Sequence, residues 1–361
     1  MNLQWSEEQQ LLRDMVRRFV AGEYGFEQRQ KFIASAHGFS REIWAALAEL
    51  GLMLLSFSEA DGGMAGGGLE ASIVAEAFGQ GLVAEPYLAS AVKASTALAA
   101  APAGGMREQW IADLQSGEKI AAFVDAPELD FADGLTGEAI CVAAADIADF
   151  LIVAASKAGA PVLLALGAGA VQRDGYKLHG GGTAADIRFE HNPALVLAEG
   201  AAEAEILLQV RAAGEAFLIA EALGAAQAGF ELTVEYLKTR VQFGKPLGAN
   251  QALQHRASEM FVELEQLRSA ALYAAVMRDT DERELAVAAA KYVALKAMRF
   301  IGQQIVQLHG GIGVTQEYAA GHYFMRLTAI AAQLGTPEAA SAAIAAKGGF
   351  TSPAPYWESA A

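Results

Sequence analysis

The apolar residues of this chain change their spacing twice, and that double change limits the folds open to it more than any single motif does. The first third has a helical period. Ser6-Glu7-Glu8-Gln9 has the form of a capping box, after which Leu11/Leu12, Met15/Val16 and Phe19/Val20 recur every four residues. Ser40 is placed to cap another helix bearing Ile43, Leu47 and Leu50 on one face, with Gly51 as its stop. A glycine-dense loop, residues 61–68, leads to a third helical stretch from Leu69 to Gly79. A fourth begins at Leu88, and a short one runs from Arg107 to Leu114.

Near Gly117 the pattern shortens. Apolar runs at 120–124, 140–144, 150–155, 161–166 and 184–189 alternate with turns carrying Asp and Gly, the signature of a small β domain. From Ala202 the helical period returns in long segments, broken at 244–248 and 309–313. The order helices, strands, helices predicts an α+β protein rather than an alternating βαβ one. Its expected divisions are a helical domain over 1–117, a middle β domain over 118–200, a helical domain over 201–347 and a tail over 348–361.

With 53% hydrophobic residues and only 9 prolines among 361, the chain can bury a large core. A formal charge of −16 argues against a non-specific grip on nucleic acid or an anionic membrane. Cys141 is the sole cysteine, which excludes an intrachain disulfide and fits a reducing compartment. Acidic residues stand where a signal peptide would need a basic and then an apolar stretch, and no run suits a membrane helix. The expectation is a soluble, cytoplasmic protein. The six histidines are scattered without metal-ligand spacing, so no metal is expected.

Two loops between helices carry residues suited to chemistry. In the first, residues 240–251, Arg240 offers a planar fork of donors for a diphosphate, Phe243 can lie against a nucleotide, and Gln251 can hydrogen-bond a sugar or phosphate. The plainer alternative makes Arg240 a helix cap and Phe243 a core residue. In the second, Gln307-Leu308-His309-Gly310-Gly311-Ile312-Gly313, paired glycines let the backbone approach a phosphate or a flat ring. This loop is not a Rossmann fingerprint, because no strand precedes it. His309 reads as a hydrogen-bonding histidine rather than a ligand.

Taken together, these loops resemble, in order and separation, the two FAD motifs of the acyl-CoA dehydrogenase family. The resemblance covers nearly all of the chain, including the first helix from Leu3 to Glu23, Trp44, and the turn Glu59-Ala60-Asp61-Gly62-Gly63. It implies an N-terminal helical domain, a middle β domain and a C-terminal four-helix bundle, usually as a tetramer that shares each flavin between subunits. It also implies α,β-dehydrogenation of an acyl-CoA to a 2-enoyl-CoA, with an electron-transferring flavoprotein as acceptor. A carboxylate would remove the α-proton and hydride would pass to the flavin. By resemblance Arg240, Phe243, Gln251, Gln307, Gly310, Gly311 and Thr336 would bind FAD, and the helix from Ala202 would line the acyl chain.

The chain departs from the family at the base. An ungapped match of Gly335-Thr336 puts Leu334 where the usual glutamate stands, and leucine takes no proton. The alternative base position, near the start of the first C-terminal helix, falls on Gly214. Its neighbour Glu215 would serve only with a local shift of register, because adjacent helical residues point about 100° apart. Glu221, further along, reads as structural. In the middle domain Phe123-Val124-Asp125-Ala126-Pro127-Glu128 stands where the family's Thr/Ser-Glu-Pro segment lies, and none of the four tryptophans (Trp5, Trp44, Trp110, Trp357) falls in the β region. The chain thus resembles the second subunit of a bacterial heterotetramer acting on bulky or dicarboxylic acyl-CoAs. Its alternatives are a homotetramer with Glu215 as base and a non-catalytic, acyl-CoA-binding or structural subunit.

Overall fold

The first helix, α1 (Glu7–Glu23), starts where its capping residues dictate: Ser6 Oγ accepts the Gln9 amide and the Gln9 side chain accepts the Ser6 amide. The computed structural model describes residues 5–349. Short α2 (Phe26–Ala34) follows, an element the sequence pattern missed because its charged and amide residues obscure any apolar stripe. Ser40 caps α3 (Arg41–Glu49) through the Ile43 amide, and Gly51 ends that region at φ +77°. The helical part continues with α4 (Gly68–Gly81), a π-helical stretch over Leu88–Ala94, α5 (Ser95–Ala100) and α6 (Gly105–Gln115).

The turn at 59–63 is tied down by a fork-to-fork pair. Arg107 donates to both Asp61 oxygens at 2.8 and 3.1 Å, and Trp44 Nε1 donates to the Gly117 carbonyl where the helices give way to strands.

Seven strands make one sheet: β1 (Ala121–Phe131), β2 (Leu135–Ala143), β3 (Phe150–Lys157), β4 (Ala160–Gly167), β5 (Gln172–Lys177), β6 (Thr183–Asn192) and β7 (Leu195–Glu199), in the order β5-β6-β2-β1-β3-β4-β7. Only the β1–β3 pair is parallel. Both faces are covered near the centre, which is why these strands read as unbroken apolar runs. Ala122, Val124, Leu151 and Val153 face one cluster, while Ala121, Phe123, Phe150 and Ile152 face Leu98, Trp110 and Val210 of the helices. Trp110 stacks on Phe150 at 5.2 Å. Strands β5 and β7 were invisible to the apolar pattern, since β5 is Gln-Arg-Asp-Gly-Tyr-Lys and β7 is short and half exposed at the sheet edge.

The C-terminal part is a bundle of α7 (Ala201–Thr239), α8 (Gln251–Met277), α9 (Arg283–His309) and α10 (Ala319–Leu334), with α11 (Pro337–Ala346) against α9. A two-residue-per-strand hairpin, β8 (Val241–Gln242) and β9 (Lys245–Pro246), joins α7 to α8. Helix α4 crosses α7 at two glycines. A Cβ on Gly79 would overlap the Glu221 carbonyl, and one on Gly224 would overlap that of Glu76, so the two backbones touch and join the N-terminal helices to the bundle. One continuous core runs from Val16, Trp44 and Phe78 through Phe217 and Leu223 to Met298 and Leu334.

Candidate active site

The two loops of interest meet at one end of the bundle because aromatic residues pin the helix ends that carry them. Tyr236, one turn before Arg240, lies 4.6 Å from the His309 ring, and Tyr318 packs tilted against that histidine at 5.3 Å and against Tyr236 at 6.4 Å. His309 is buried, its Nδ1 bonded to the Ile305 carbonyl at 2.8 Å, and burial pulls its pKa below the ordinary imidazole value. It is therefore a neutral packing residue, not a ligand. The start of α8 closes the same end. Leu247 donates to the Arg240 carbonyl, and Arg256 reaches across to Gln304 at 3.0 Å. The loops that carry Arg240, Phe243, Gln251, Gln307, Gly310 and Gly311 thus share one end of the bundle, and every one of these residues is exposed.

Phe243 settles the choice between core and contact. It sits at the tip of the β8–β9 hairpin at φ +53° and is 97% exposed, so it packs on nothing in its own chain. Val241 beside it is exposed as well. Gly310 has φ +64°, and neither Gly310 nor Gly311 has an atom within 4 Å of the space a Cβ would take. Nothing in the chain's own packing requires Gly311 to be glycine, and the backbone there stays open to approach. An apolar ring, an exposed guanidinium and bare backbone facing outward at one place suit a dinucleotide.

Thr336 is not part of this group. It lies beyond the far end of α10, whose 16 residues set it about 24 Å from the glycine loop. Its Oγ1 accepts the Ala339 amide at 3.2 Å as the cap of α11.

A second feature is a cavity of about 320 Å³ between the sheet, the N-terminal helices and α10, lined among others by Lys93, Phe123, Asp125, Arg326 and Gln333. Its chemistry is unlike the first. Asp125 accepts two bonds from Arg211 of α7, at 2.8 and 2.7 Å, which tie β1 to α7. Lys93 lies against Gly214 and makes no hydrogen bond or close ion pair among the described residues. Burial, opposed by Asp125 and Glu215, holds it below the ordinary lysine value. Arg326 donates to the buried Glu221 at 2.6 Å, and burial keeps that carboxyl above the ordinary range even so. Glu221 is a buried ion-pair partner, in keeping with its structural reading.

The candidate bases occupy unlike places. Leu334 is 4% exposed, an aliphatic end to α10 inside the helical core. Gly214 faces the cavity side through Lys93, whereas Glu215 turns to α9 and takes the Lys291 ammonium at 2.5 Å. Lys93 and the Asp125–Arg211 bridge escaped sequence reading, since the partners lie tens of residues apart. The charged Asp125 was the one visible signal.

This frame of helical domain, sheet and bundle, with a dinucleotide-suited loop pair at the bundle's end, defines a flavin-dependent dehydrogenase fold. The chain matches the acyl-CoA dehydrogenase N-terminal domain over residues 6–118 and the acyl-CoA dehydrogenase C-terminal domain over residues 208–348. It is 31% identical to acyl-CoA dehydrogenase IpdE2 of Mycobacterium tuberculosis over 342 residues, 92% of this chain and 94% of the relative. Among solved structures it superposes on the ChsE4-ChsE5 complex of the same organism with a TM-score of 0.87 and 26% identity, covering 98% of this chain and all of that one. Glutaryl-coenzyme A dehydrogenase shares the fold, with a TM-score of 0.87 and 22% identity over 96% of each chain.

The chain belongs to the acyl-CoA dehydrogenase family. It is accordingly an oxidoreductase of the FAD-dependent class that acts on acyl-CoA thioesters. Among the described residues no helix is long and apolar enough to cross a membrane, and no cluster could hold a metal ion.

Proposed function

We propose that this chain is one subunit of a cytoplasmic acyl-CoA dehydrogenase built from two unlike chains, and that it lends a neighbour the binding arm for FAD rather than a proton-abstracting base. The observation that carries this reading is Phe243, fully exposed beside Arg240 and the open Gly310-Gly311 backbone. A large apolar side chain held in the left-handed region and packed on nothing of its own is complete only against another surface. Arg240 and the backbone at Gly310 and Gly311 would hold the pyrophosphate, Phe243 would cover the nucleotide, and Gln251 and Gln307 would take its polar edges. Bound FAD would supply the two-electron acceptor for α,β-dehydrogenation of an acyl-CoA.

The chain's own interior supports the second half of the proposal. Where a homologous active subunit presents a glutamate, Leu334 offers only aliphatic carbon. The segment of α7 expected to line an acyl chain is bridged to the sheet by Arg211–Asp125 and carries Gly214 against a lysine. The partner subunit would then provide the ring pocket and the carboxylate, with an electron-transferring flavoprotein taking the electrons. That the ChsE4-ChsE5 complex contains a chain of this fold fits the arrangement. The test is FAD per chain and assembly mass, for the protein alone and after co-expression with a homologous dehydrogenase subunit. Little FAD alone, rising to about one per unlike pair, is expected. A homotetramer carrying one FAD per chain overturns the reading.

A further inference from the structure

A separate cavity, of about 350 Å³, lies on the other side of the α4–α7 crossing and belongs to neither feature described above. Four helices wall it. Helix α1 presents Arg13 and Arg17, α4 presents Ile73, α7 Leu223, and α8 Arg268 and Leu272. Its apolar helical residues come from α4, α7 and α8, and its charged ones are Arg13 and Arg17 of α1, Glu76 of α4 and Arg268 of α8. In a chain of net charge −16, the three arginines and one carboxylate, Glu76, that line this hollow make a local excess of positive charge.

These arginines are unequally satisfied. Arg17 donates to Glu76 at 2.8 Å, and Arg268 donates to Gln227 at 2.7 Å and to Glu265 at 3.2 Å. Arg13 has no such bond. Its Nε is buried without a hydrogen-bond partner although the side chain as a whole is 35% exposed, and the carboxylate paired with it, Asp14 on the solvent side of the same helix, stands 3.9 Å away. A buried, unbonded guanidinium N–H costs free energy that an acceptor inside the cavity would recover. An acceptor alone would leave the apolar lining uncovered, whereas an apolar molecule alone would leave Arg13 unbonded. Both are met by one molecule with a carboxylate at one end and a hydrocarbon chain at the other. The volume is at the small end of ordinary ligand sites, which fits a medium-chain acid and leaves no room for a coenzyme A nucleotide.

We propose that this cavity binds the free carboxylate of a medium-chain fatty acid, with Arg13 as the anion-binding group and Ile73, Leu223 and Leu272 holding the chain. The ligand would bridge the N-terminal helices and the C-terminal bundle, so its binding raises the melting temperature of the assembled protein. The test is titration calorimetry and thermal melting of the purified protein in its native assembly with decanoate, decanol and acetate as probes. Decanoate is expected to bind saturably, one per chain, and decanol and acetate each at least about tenfold more weakly, because each lacks one of the two recognition elements. R13Q should weaken decanoate about tenfold or more and leave decanol unchanged. R13K should restore part of the loss. F243A, at the distant bundle end, should leave decanoate affinity unchanged while altering flavin retention. Equal binding of decanol and decanoate, no effect of R13Q, or loss of decanoate binding in F243A would overturn the proposal. Failure of flavin to respond to F243A would count against the functional reading alone.

Discussion

The end of the helical bundle and the cleft beneath the sheet hold their charged and aromatic residues in opposite ways. At the bundle end, Arg240, Phe243 and Gln307 point outward, and the backbone at Gly310 and Gly311 is bare. At the cleft, Asp125 is engaged by Arg211, and Arg326 of its lining is engaged by the buried Glu221, while the position expected for a base, Leu334, is packed in the helical core. One region turns its groups outward, and the other pairs most of its charges internally. Residues that satisfy one another contribute to stability, whereas residues left unsatisfied on a rigid element are available for binding. Substitutions in the two regions should therefore separate into effects on folding and effects on cofactor retention.

The largest effect is expected in the cleft. Arg326→Ala leaves the Glu221 carboxylate buried without its counter-ion, which costs about 3–5 kcal/mol. Burial already raises this carboxyl above its ordinary value, and removing the arginine raises it further. An acid with a raised folded-state pKa stabilises the fold fully below its unfolded pKa and loses that contribution as pH rises through the folded value. The deficit of the variant should therefore grow from acid to neutral pH. Denaturant midpoints at pH 4.5 and 7.5 check this, and a deficit independent of pH would mean that Glu221 is not the stranded group.

At the bundle end the expected separation is the reverse. Arg240→Ala removes a charge-assisted donor from an exposed loop, so flavin retention in the assembled enzyme should fall by about 10- to 100-fold, or ~1.5–3 kcal/mol. Melting of the flavin-free protein should stay within about 0.5 kcal/mol. Flavin absorbance per assembly after gel filtration, read beside thermal melting, checks both. A large fall in melting with flavin intact would erase the contrast between the regions.

Lys93 sharpens the comparison from inside the cleft. Its ammonium is largely buried, with Asp125, Glu215 and Arg211 as its charged neighbours, and burial depresses its pKa. The unfolded chain holds that proton to higher pH than the folded one does, so wild-type stability rises as pH climbs from the depressed value towards the ordinary lysine value. Lys93→Met should lack this rise and be more stable by about 1 kcal/mol at neutral pH, an advantage that shrinks under alkaline conditions. Chemical denaturation at pH 7 and pH 10 measures it. A destabilised variant would show that Lys93 is a working partner of Asp125 rather than an isolated charge.

How far the sequence foretold these regions follows from the range of the interactions that make them. The capping box at Ser6, the cap at Ser40 and the glycine stop at Gly51 act within a few residues, so they could be read directly. The central strands were legible because burial on both faces leaves them uniformly apolar, whereas β5 at the sheet edge carries polar residues and left no pattern. Exposure of Phe243 was not legible, since an aromatic between helices reads equally as core. Family order along the chain assigns Thr336 to the cofactor, and α10 sets it at the other end of the bundle from the glycine loop of its own chain. The bridges Asp125–Arg211 and Glu215–Lys291 join residues 86 and 76 positions apart and are products of tertiary packing alone.

The smallest expected effect tests the boundary between the regions. Glu215 is the carboxylate closest in sequence to a base position of the family, yet its side chain turns from Gly214 and the cavity towards Lys291. It is 31% exposed and Lys291 is 19% exposed, so the pair is partly solvated and its removal should cost no more than about 1 kcal/mol. Glu215→Gln keeps the shape and the acceptor oxygen while removing proton-accepting ability. In an enzyme whose base comes from the partner, turnover of the assembled protein should remain within about twofold of wild type, with flavin content unchanged. If Glu215 were the base, turnover should fall by about 100-fold or more, the scale of a lost general base, with flavin still bound. Single-turnover flavin bleaching by an acyl-CoA distinguishes the two, because it reports proton and hydride removal together and is insensitive to the electron acceptor. A collapse of bleaching in Glu215→Gln would move the catalytic centre into this chain and make the cleft an active site rather than a vestige.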